Sequence, residues 1–152
     1  MAAGLSLSVS DIPALRAGLG RKVAEMAGKE LPEPTLEISA YTPLGNLSLE
    51  LAASLDSLAP FGAGNPPVYL ATRGVRIVGH TIIGQSEKHR RLTVEDSEGH
   101  TATVLWWHGA SQDLPDGPFD LAYSLHTREY LDYPELQLHW EDMRPIEGQT
   151  RS

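Results

Sequence analysis

The feature that most constrains this chain is a change of hydrophobic period after Pro67. From that point apolar and polar residues alternate in short runs, which is the period of a β-strand with one buried face. Five such runs follow residue 73, and the connection between the third and the fourth is longer than the others. The pattern predicts a five-stranded barrel of the OB type, although an SH3-like barrel matches it almost equally well.

Local signals add detail to the predicted barrel. Gly79 is expected to bend the first long strand, and the run Asp96-Ser97-Glu98-Gly99 is typical of a hairpin turn. Neighbouring residues on a strand point to opposite faces. We therefore expect Trp106 in the core, where it continues the face of Ala102 and Val104, and Trp107 at least partly at the surface. A second turn is expected at residues 132–134.

The region before the barrel is predicted to be a small α+β segment, so that the fold class as a whole is mainly β. The predicted elements are a strand over residues 4–9, a helix from Ile12 to Met26, a linker over 29–34, a strand over 36–40, a helix over 47–58 and a turn-rich loop from Phe61 to Pro67. One strand and one helix cannot bury an apolar face alone. Residues 1–28 are therefore expected to be the end of a larger domain, or a unit that packs on the residues after it.

The distribution of charge matters more than the net charge of −8. Residues 1–67 carry 4 basic and 7 acidic side chains, and residues 110–152 carry 3 and 9. Residues 68–109 carry 5 basic and 4 acidic side chains and form the one segment that is not acidic. Since contacts to phosphates need Lys and Arg, an anion-binding face is expected in this middle segment.

Several classes of function lack their sequence signals. The chain has no cysteine, which excludes disulfides, thiolate metal sites and cysteine nucleophiles and is compatible with the cytoplasm. No apolar run approaches the roughly 20 residues of a membrane span, and no signal peptide is apparent. The six histidines do not occur at metal-ligand spacing, and no nucleophile-elbow motif occurs. No metal site and no catalytic residues are predicted within this chain.

The most specific motif of the chain is Leu58-Ala59-Pro60-Phe61-Gly62-Ala63-Gly64-Asn65-Pro66. It is similar to the "Leu-x-Pro-Phe-Gly-x-Gly-Asn-Pro" signature in the C-terminal part of RecJ-type single-strand-specific exonucleases. Residues 2–7 resemble the segment after the Gly-Gly-His motif of that family's DHHA1 domain. Residues 88–96 resemble the second strand of its barrel. The last two strands are resembled by residues 119–123, 136–138 and 141–145.

The resemblance implies a division of the chain and a parent enzyme. Residues 1–28 would be a remnant of the DHHA1 domain, 29–67 a connecting strand, helix and loop, 68–146 the OB domain and 147–152 a flexible tail. The parent would be a cytoplasmic exonuclease of DNA repair and recombination that degrades single-stranded DNA from the 5′ end with Mn²⁺ or Mg²⁺. Its Asp-His-His motifs do not occur here, so this part would be non-catalytic. Its partners would be single-stranded DNA and the DHH and DHHA1 domains.

Single strands are held by basic side chains along the backbone and by aromatic faces under the bases. OB barrels use the face around their second and third strands together with nearby loops. The candidate DNA-binding residues are Arg73, Arg76, Lys88, His89, Arg90, Arg91, Trp107 and Tyr130. The alternatives are an ordinary solvated hairpin cluster for the charges, and packing under the loop 108–118 for Trp107.

Two further interpretations remain open from the residues. The loop from Phe61 to Pro67 lacks the Lys and Ser/Thr of a phosphate-binding loop and is better explained as a rigid junction with Phe61 anchored in a domain interface. A fold also does not fix a function. The barrel could therefore be a protein-interaction module that docks another domain or a basic partner through its acidic C-terminal third.

Overall fold

A computed structural model of the chain describes residues 4–27, 34–130 and 133–146, with the side chains of Glu129 and Tyr130 outside the description. The chain divides into two compact units, residues 1–35 and residues 36–152. Within the described ranges, no helix is long and apolar enough to cross a membrane.

The first unit is helical. A single 3-10 turn over Val9–Asp11 leads directly into helix α1, which spans Ile12–Ala27 and confirms the predicted helix. The strand predicted over residues 4–9 is wrong, because residues 4–8 have no regular structure. Alternation of apolar side chains is not sufficient for a strand, whose backbone groups need a neighbouring strand as hydrogen-bond partner.

The second unit begins with short elements that precede the barrel. Strand β1 is only Ala40–Tyr41, shorter than the predicted strand over 36–40, and pairs in parallel with the first barrel strand. Helix α2 spans Leu49–Asp56, and its N-terminus is capped by Ser48, whose hydroxyl oxygen accepts a hydrogen bond from the Leu51 N–H at 3.1 Å. The helix predicted over 47–58 is thus confirmed with a shorter range.

Five long strands form the barrel. They are β2 (Leu70–Ile83), β3 (His89–Glu95), β4 (Thr101–Trp106), β5 (Phe119–Tyr130) and β6 (Tyr133–Pro145). The pairing order is β2-β3-β4-β6-β5, and β5 returns to pair with β2, so the sheet closes on itself. All these pairings are antiparallel except β4 with β6. Since a simple meander contains no parallel pair, this order is the Greek-key barrel of the OB type and not an SH3-like barrel.

Irregular positions curve the strands as the sequence indicates. The register of β2 against β3 shifts between Ile77 and Gly79, which confirms the predicted bend. A second shift in β2 lies between Thr72 and Val75, where the Gly74 N–H donates to a carboxylate oxygen of Asp120 on β5 at 3.1 Å. These bulges let a long strand bend around the barrel.

The core fills the interior of the barrel. Its largest fully buried side chains are Tyr123, Phe119, Leu92, Leu121, Leu138, Val75, Val94 and Val104. Trp106 and Trp140 stack with ring centroids 4.3 Å apart, which confirms the expected core position of Trp106. Burial raises the pKa of Tyr123 to about 12, although its hydroxyl is hydrogen-bonded to the Thr72 hydroxyl at 3.0 Å.

Candidate nucleic-acid interface

The outer face of strands β3, β4 and β6 carries a continuous row of side chains. Arg91 lies opposite Leu105, and Leu105 in turn lies opposite His139. The neighbouring positions Leu92 and Val104 are fully buried, so the row points away from the core. Arg91 is exposed, whereas Leu105 is only 5% exposed and forms an apolar floor between the two polar residues.

Arg90 lies on the other side of β3 and is buried. Only 8% of its surface is exposed, and its Nη2 donates to the Ala110 carbonyl oxygen at 2.7 Å. Its Nε and Nη1 atoms are buried and have no hydrogen-bond partner among the described residues. The guanidinium group lies 5.9 Å from the centre of the Trp106 ring. The structure therefore separates Arg90 from Arg91, because adjacent strand residues cannot share a face.

The loop after β4 is fastened to the start of β3. The Ala110 N–H donates to the Lys88 carbonyl oxygen at 3.2 Å, and the His108 N–H donates to Nδ1 of His89 at 3.1 Å. Gly109 lies so close to Trp106 that an added Cβ would be 2.3 Å from its ring, which only glycine permits. These contacts fix the backbone on both sides of Trp107.

Five aromatic rings form a chain of contacts across this surface, which we call the ring strip. In order, they belong to His108, His89, Trp107, His139 and His126. Successive ring centroids are separated by 4.9 Å, 4.8 Å, 5.7 Å and 4.1 Å. Trp107 is 48% exposed, which confirms the expectation that it lies at least partly at the surface.

Hydrogen bonds indicate the protonation of the histidine rings. Nδ1 of His89 accepts a hydrogen bond from the His108 N–H, so in this arrangement the ring N–H of His89 is on Nε2. Burial, together with the positive charge that His126 can carry, lowers the pKa of His139. The lowered pKa favours the neutral form of the His139 ring in the folded chain.

Basic side chains flank the ring strip. Lys88 and Arg91 are both exposed, and within the described ranges neither has a carboxylate within 4.0 Å. Arg76 is also exposed and lies on β2 opposite Glu95. Arg73 lies apart from them, with its guanidinium 4.4 Å from the centre of the Tyr41 ring. The unneutralised charges nearest the rings are thus Lys88 and Arg91.

The structure brings together only part of the predicted site. Lys88, His89, Arg91 and Trp107 share one surface, whereas Arg90 is inside the barrel and Arg73 contacts Tyr41. The backbone of Tyr130 ends β5 and pairs with Tyr133, but its side chain lies outside the described residues. Of the turn predicted at 132–134, residue 132 lies outside the described residues, whereas Tyr133 and Pro134 already belong to β6.

Three histidines of the ring strip were missed by the sequence reasoning, which considered these three only as possible metal ligands. They are His108, His126 and His139. The register of the last hairpin places Ser124 opposite His139 and Gln137 opposite His126, so the two rings lie diagonally on one face. A correct position for the turn between β5 and β6 would have revealed this neighbourhood.

No group of three His, Cys, Asp or Glu side chains that could hold a metal ion occurs in the part of the chain that the structure describes. The described residues therefore do not fit a divalent metal centre.

The closed five-stranded order, with β6 between β4 and β5, defines an OB barrel. The family model for the RecJ OB domain matches residues 38–142, which is more than half of the chain. The chain therefore belongs to the RecJ OB domain family.

Similar proteins agree with this assignment. The chain is 24% identical over 155 residues to the single-stranded-DNA-specific exonuclease RecJ of Bacillus subtilis, and the match covers 98% of this chain and 19% of the relative. Two structures of RecJ from Thermus thermophilus, in complex with Mn²⁺ and with Mg²⁺, have TM-scores of 0.62 and 0.52 at 20% identity. They cover 95% and 94% of this chain and 21% of the solved chains. The chain thus spans about a fifth of the length of these relatives.

Proposed function

We propose that this chain is a single-stranded DNA binding domain of a RecJ-like 5′-to-3′ exonuclease. The barrel holds the substrate strand so that its 5′ end reaches an active site on another domain, and it contributes orientation and not bond cleavage. In this proposal residues 1–28 belong to the DHHA1 domain, 29–67 connect it to the OB domain of residues 68–146, and 147–152 form a tail. The parent acts in the cytoplasm in DNA repair and recombination, and its Mn²⁺ or Mg²⁺ is held outside this chain.

The observation that carries the proposal is the exposed ring of Trp107, which contacts His89 on the same face of the sheet as the exposed Arg91. An exposed indole offers a face on which any base can stack. Lys88 and Arg91 supply positive charge on the same surface without a carboxylate in reach in the described part of the protein. The overall acidity of the chain argues against DNA binding over a wide surface. It favours binding along a narrow track, by which we mean the surface that carries Lys88, Arg91 and Trp107.

Arg90 has a structural function in this proposal. Its bond to the Ala110 carbonyl holds the loop that carries Trp107, so the residue contributes indirectly. Arg73 is assigned to the opposite end of the barrel, away from the track.

A fluorescence titration with a short oligothymidylate tests the proposal. We expect quenching of tryptophan emission at about 50 mM salt that weakens as the salt concentration rises, because counterions are released on binding. Arg91→Glu should lower the affinity and reduce the slope of log K against log salt by about 0.7 per lost phosphate contact. Arg73→Glu is the matched control, and its smaller effect is expected because Arg73 lies off the track.

Two outcomes would contradict the proposal. Lack of quenching at low salt would remove the chain from the DNA-binding proteins and favour the protein-interaction alternative. An equal effect of Arg91→Glu and Arg73→Glu would show that only the overall charge matters.

A further inference from the structure

Next to the ring strip lies a groove with a different character. It has a volume of about 290 Å³ and lies between the end of α2, the loop before β2 and the outer faces of β5 and β6. Its lining side chains include Phe61, Tyr69, Ser124, His126, His139 and Glu141. His126 and His139 belong to both the groove and the strip, so the two are continuous.

One wall of the groove is built by the most specific motif in the sequence. The Asn65 side-chain amide donates to the carbonyl oxygens of Leu58 at 2.7 Å and Pro60 at 3.1 Å, and the backbones of Gly62 and Asn65 exchange two hydrogen bonds. This network fixes the loop without using the ring of Phe61, which is 41% exposed. The motif therefore holds an aromatic ring at the edge of the groove.

The polar side chains of the groove are joined by hydrogen bonds whose directions can be assigned. The Ser124 hydroxyl donates to Oε1 of Glu141 at 2.8 Å. Its oxygen lies 3.0 Å from Nε2 of His126 and therefore accepts a hydrogen bond from the Nε2–H of that ring. Nε2 of His139 lies 3.3 Å from the Gln137 side-chain oxygen, an acceptor, and therefore also carries a proton. Oε2 of Glu141 has no partner among the described residues and remains an acceptor.

We propose that this groove is a subsite for one unpaired nucleobase that bears an exocyclic amino group, such as cytosine. The inference rests on the proposed function, since it extends the DNA track beyond Trp107. The rings of Phe61 and His126 suit a flat aromatic ligand, and carboxylates accept hydrogen bonds from the amino group of cytosine. Glu141 and Asp56 repel phosphate, so the base enters the groove and the backbone stays outside.

The test compares binding of the full chain to oligodeoxycytidylate and oligodeoxyuridylate of equal length. The bases of these ligands differ at C4, where cytosine has an amino group and uracil a carbonyl oxygen, and at N3, which accepts a hydrogen bond in cytosine and donates one in uracil. The contact to Glu141 is therefore isolated by comparing the preference before and after Glu141→Gln. We expect the cytosine oligomer to bind about five-fold more tightly, in line with a single specific base contact. In Glu141→Gln the amide can also donate a hydrogen bond, so this preference should fall below about two-fold.

Two further variants complete the experiment. Glu98→Gln makes the same change of charge in the turn after β3, and it should keep the preference. Phe61→Ala should weaken both oligomers by about five-fold or more, because a stacking partner is lost. If Phe61 serves only as a contact to another domain of the parent, this variant will bind like the unaltered chain and the inference fails.

The results separate this inference from the proposed function. If both oligomers bind equally, or if the cytosine preference survives Glu141→Gln, the groove is not a base subsite, although single-strand binding stands. If neither oligomer binds, the proposed function fails as well.

Discussion

The two ends of the β3–β4 hairpin are built alike and differ in what they leave exposed. At the closed end, Oδ1 of Asp96 accepts from the Glu98 and His100 N–H groups at 3.0 Å and 2.9 Å, and its Oδ2 accepts from the Leu44 N–H at 3.2 Å. At the open end, Arg90 donates to the Ala110 carbonyl. In each case one buried charged side chain fastens a loop through backbone atoms.

The difference lies in the surface around each fastening. The closed end is acidic, with Glu98 and Asp96 near His100. The open end presents aromatic rings and two cations without ion pairs in the described part of the chain. The comparison teaches that charged side chains have two functions in this hairpin. The buried charges of Asp96 and Arg90 stabilise the fold, whereas the exposed charges of Lys88 and Arg91 are available to a ligand.

Removal of the indole at the open end should have the largest effect. Trp107→Ala is expected to weaken binding of a single strand by about 1–3 kcal/mol, because one base loses its stacking partner. Tyr41→Ala is the control, since it removes an exposed ring near the closed end. Anisotropy titration with a labelled oligonucleotide measures both, and equal losses would contradict the contrast between the ends.

Removal of the carboxylate at the closed end should affect stability instead of binding. Asp96→Ala leaves three backbone N–H groups without their acceptor and should lower the free energy of unfolding by about 1–3 kcal/mol. Denaturant unfolding measures this, and oligonucleotide affinity should be unchanged in the folded variant. A loss of affinity with no loss of stability would reverse the assignment of the two ends.

Strong acid should weaken the closed end through the same residue. Although burial acts to raise the pKa of Asp96, hydrogen bonds from His100 and Glu98 lower it below its ordinary value of 3.8. The folded chain therefore binds fewer protons at this site than the unfolded chain. Its stabilisation is present above pH 3.8 and is lost as the pH falls through the folded pKa.

The smallest expected effect is a pH dependence of the stability of the folded chain that arises from His139 in the ring strip. Since burial and His126 lower the pKa of His139, protonation disfavours the folded state, and stability should decline as the pH falls below the ordinary value of 6.5. His139→Gln should remove this part of the decline, whereas the decline due to Asp96 lies at lower pH and should be unchanged. Unfolding curves between about pH 7.5 and about pH 5 measure it, and an unchanged slope in the variant would contradict it.

The sequence predicted the barrel well because alternation with period two directly reports which face of a strand is buried. The core position of Trp106 and the bend at Gly79 follow from that pattern. It did not predict the ring strip, because His139 and His126 meet only through strand register and barrel closure. It also assigned Arg90 and Arg91 to one site, although the alternation that buries Leu92 separates the two arginines onto opposite faces.

The parallel pairing of β4 with β6 has a consequence for synthesis on the ribosome. β6 lies between β4 and β5 in the sheet and is the last strand of the barrel to be translated. The barrel therefore cannot close until most of β6 has left the ribosome. Until then β4 and β5 each present an unpaired edge that can pair with another chain. A nascent or C-terminally shortened product that ends before His139 would therefore lack both the closing strand and part of the ring strip, and it would be prone to aggregate.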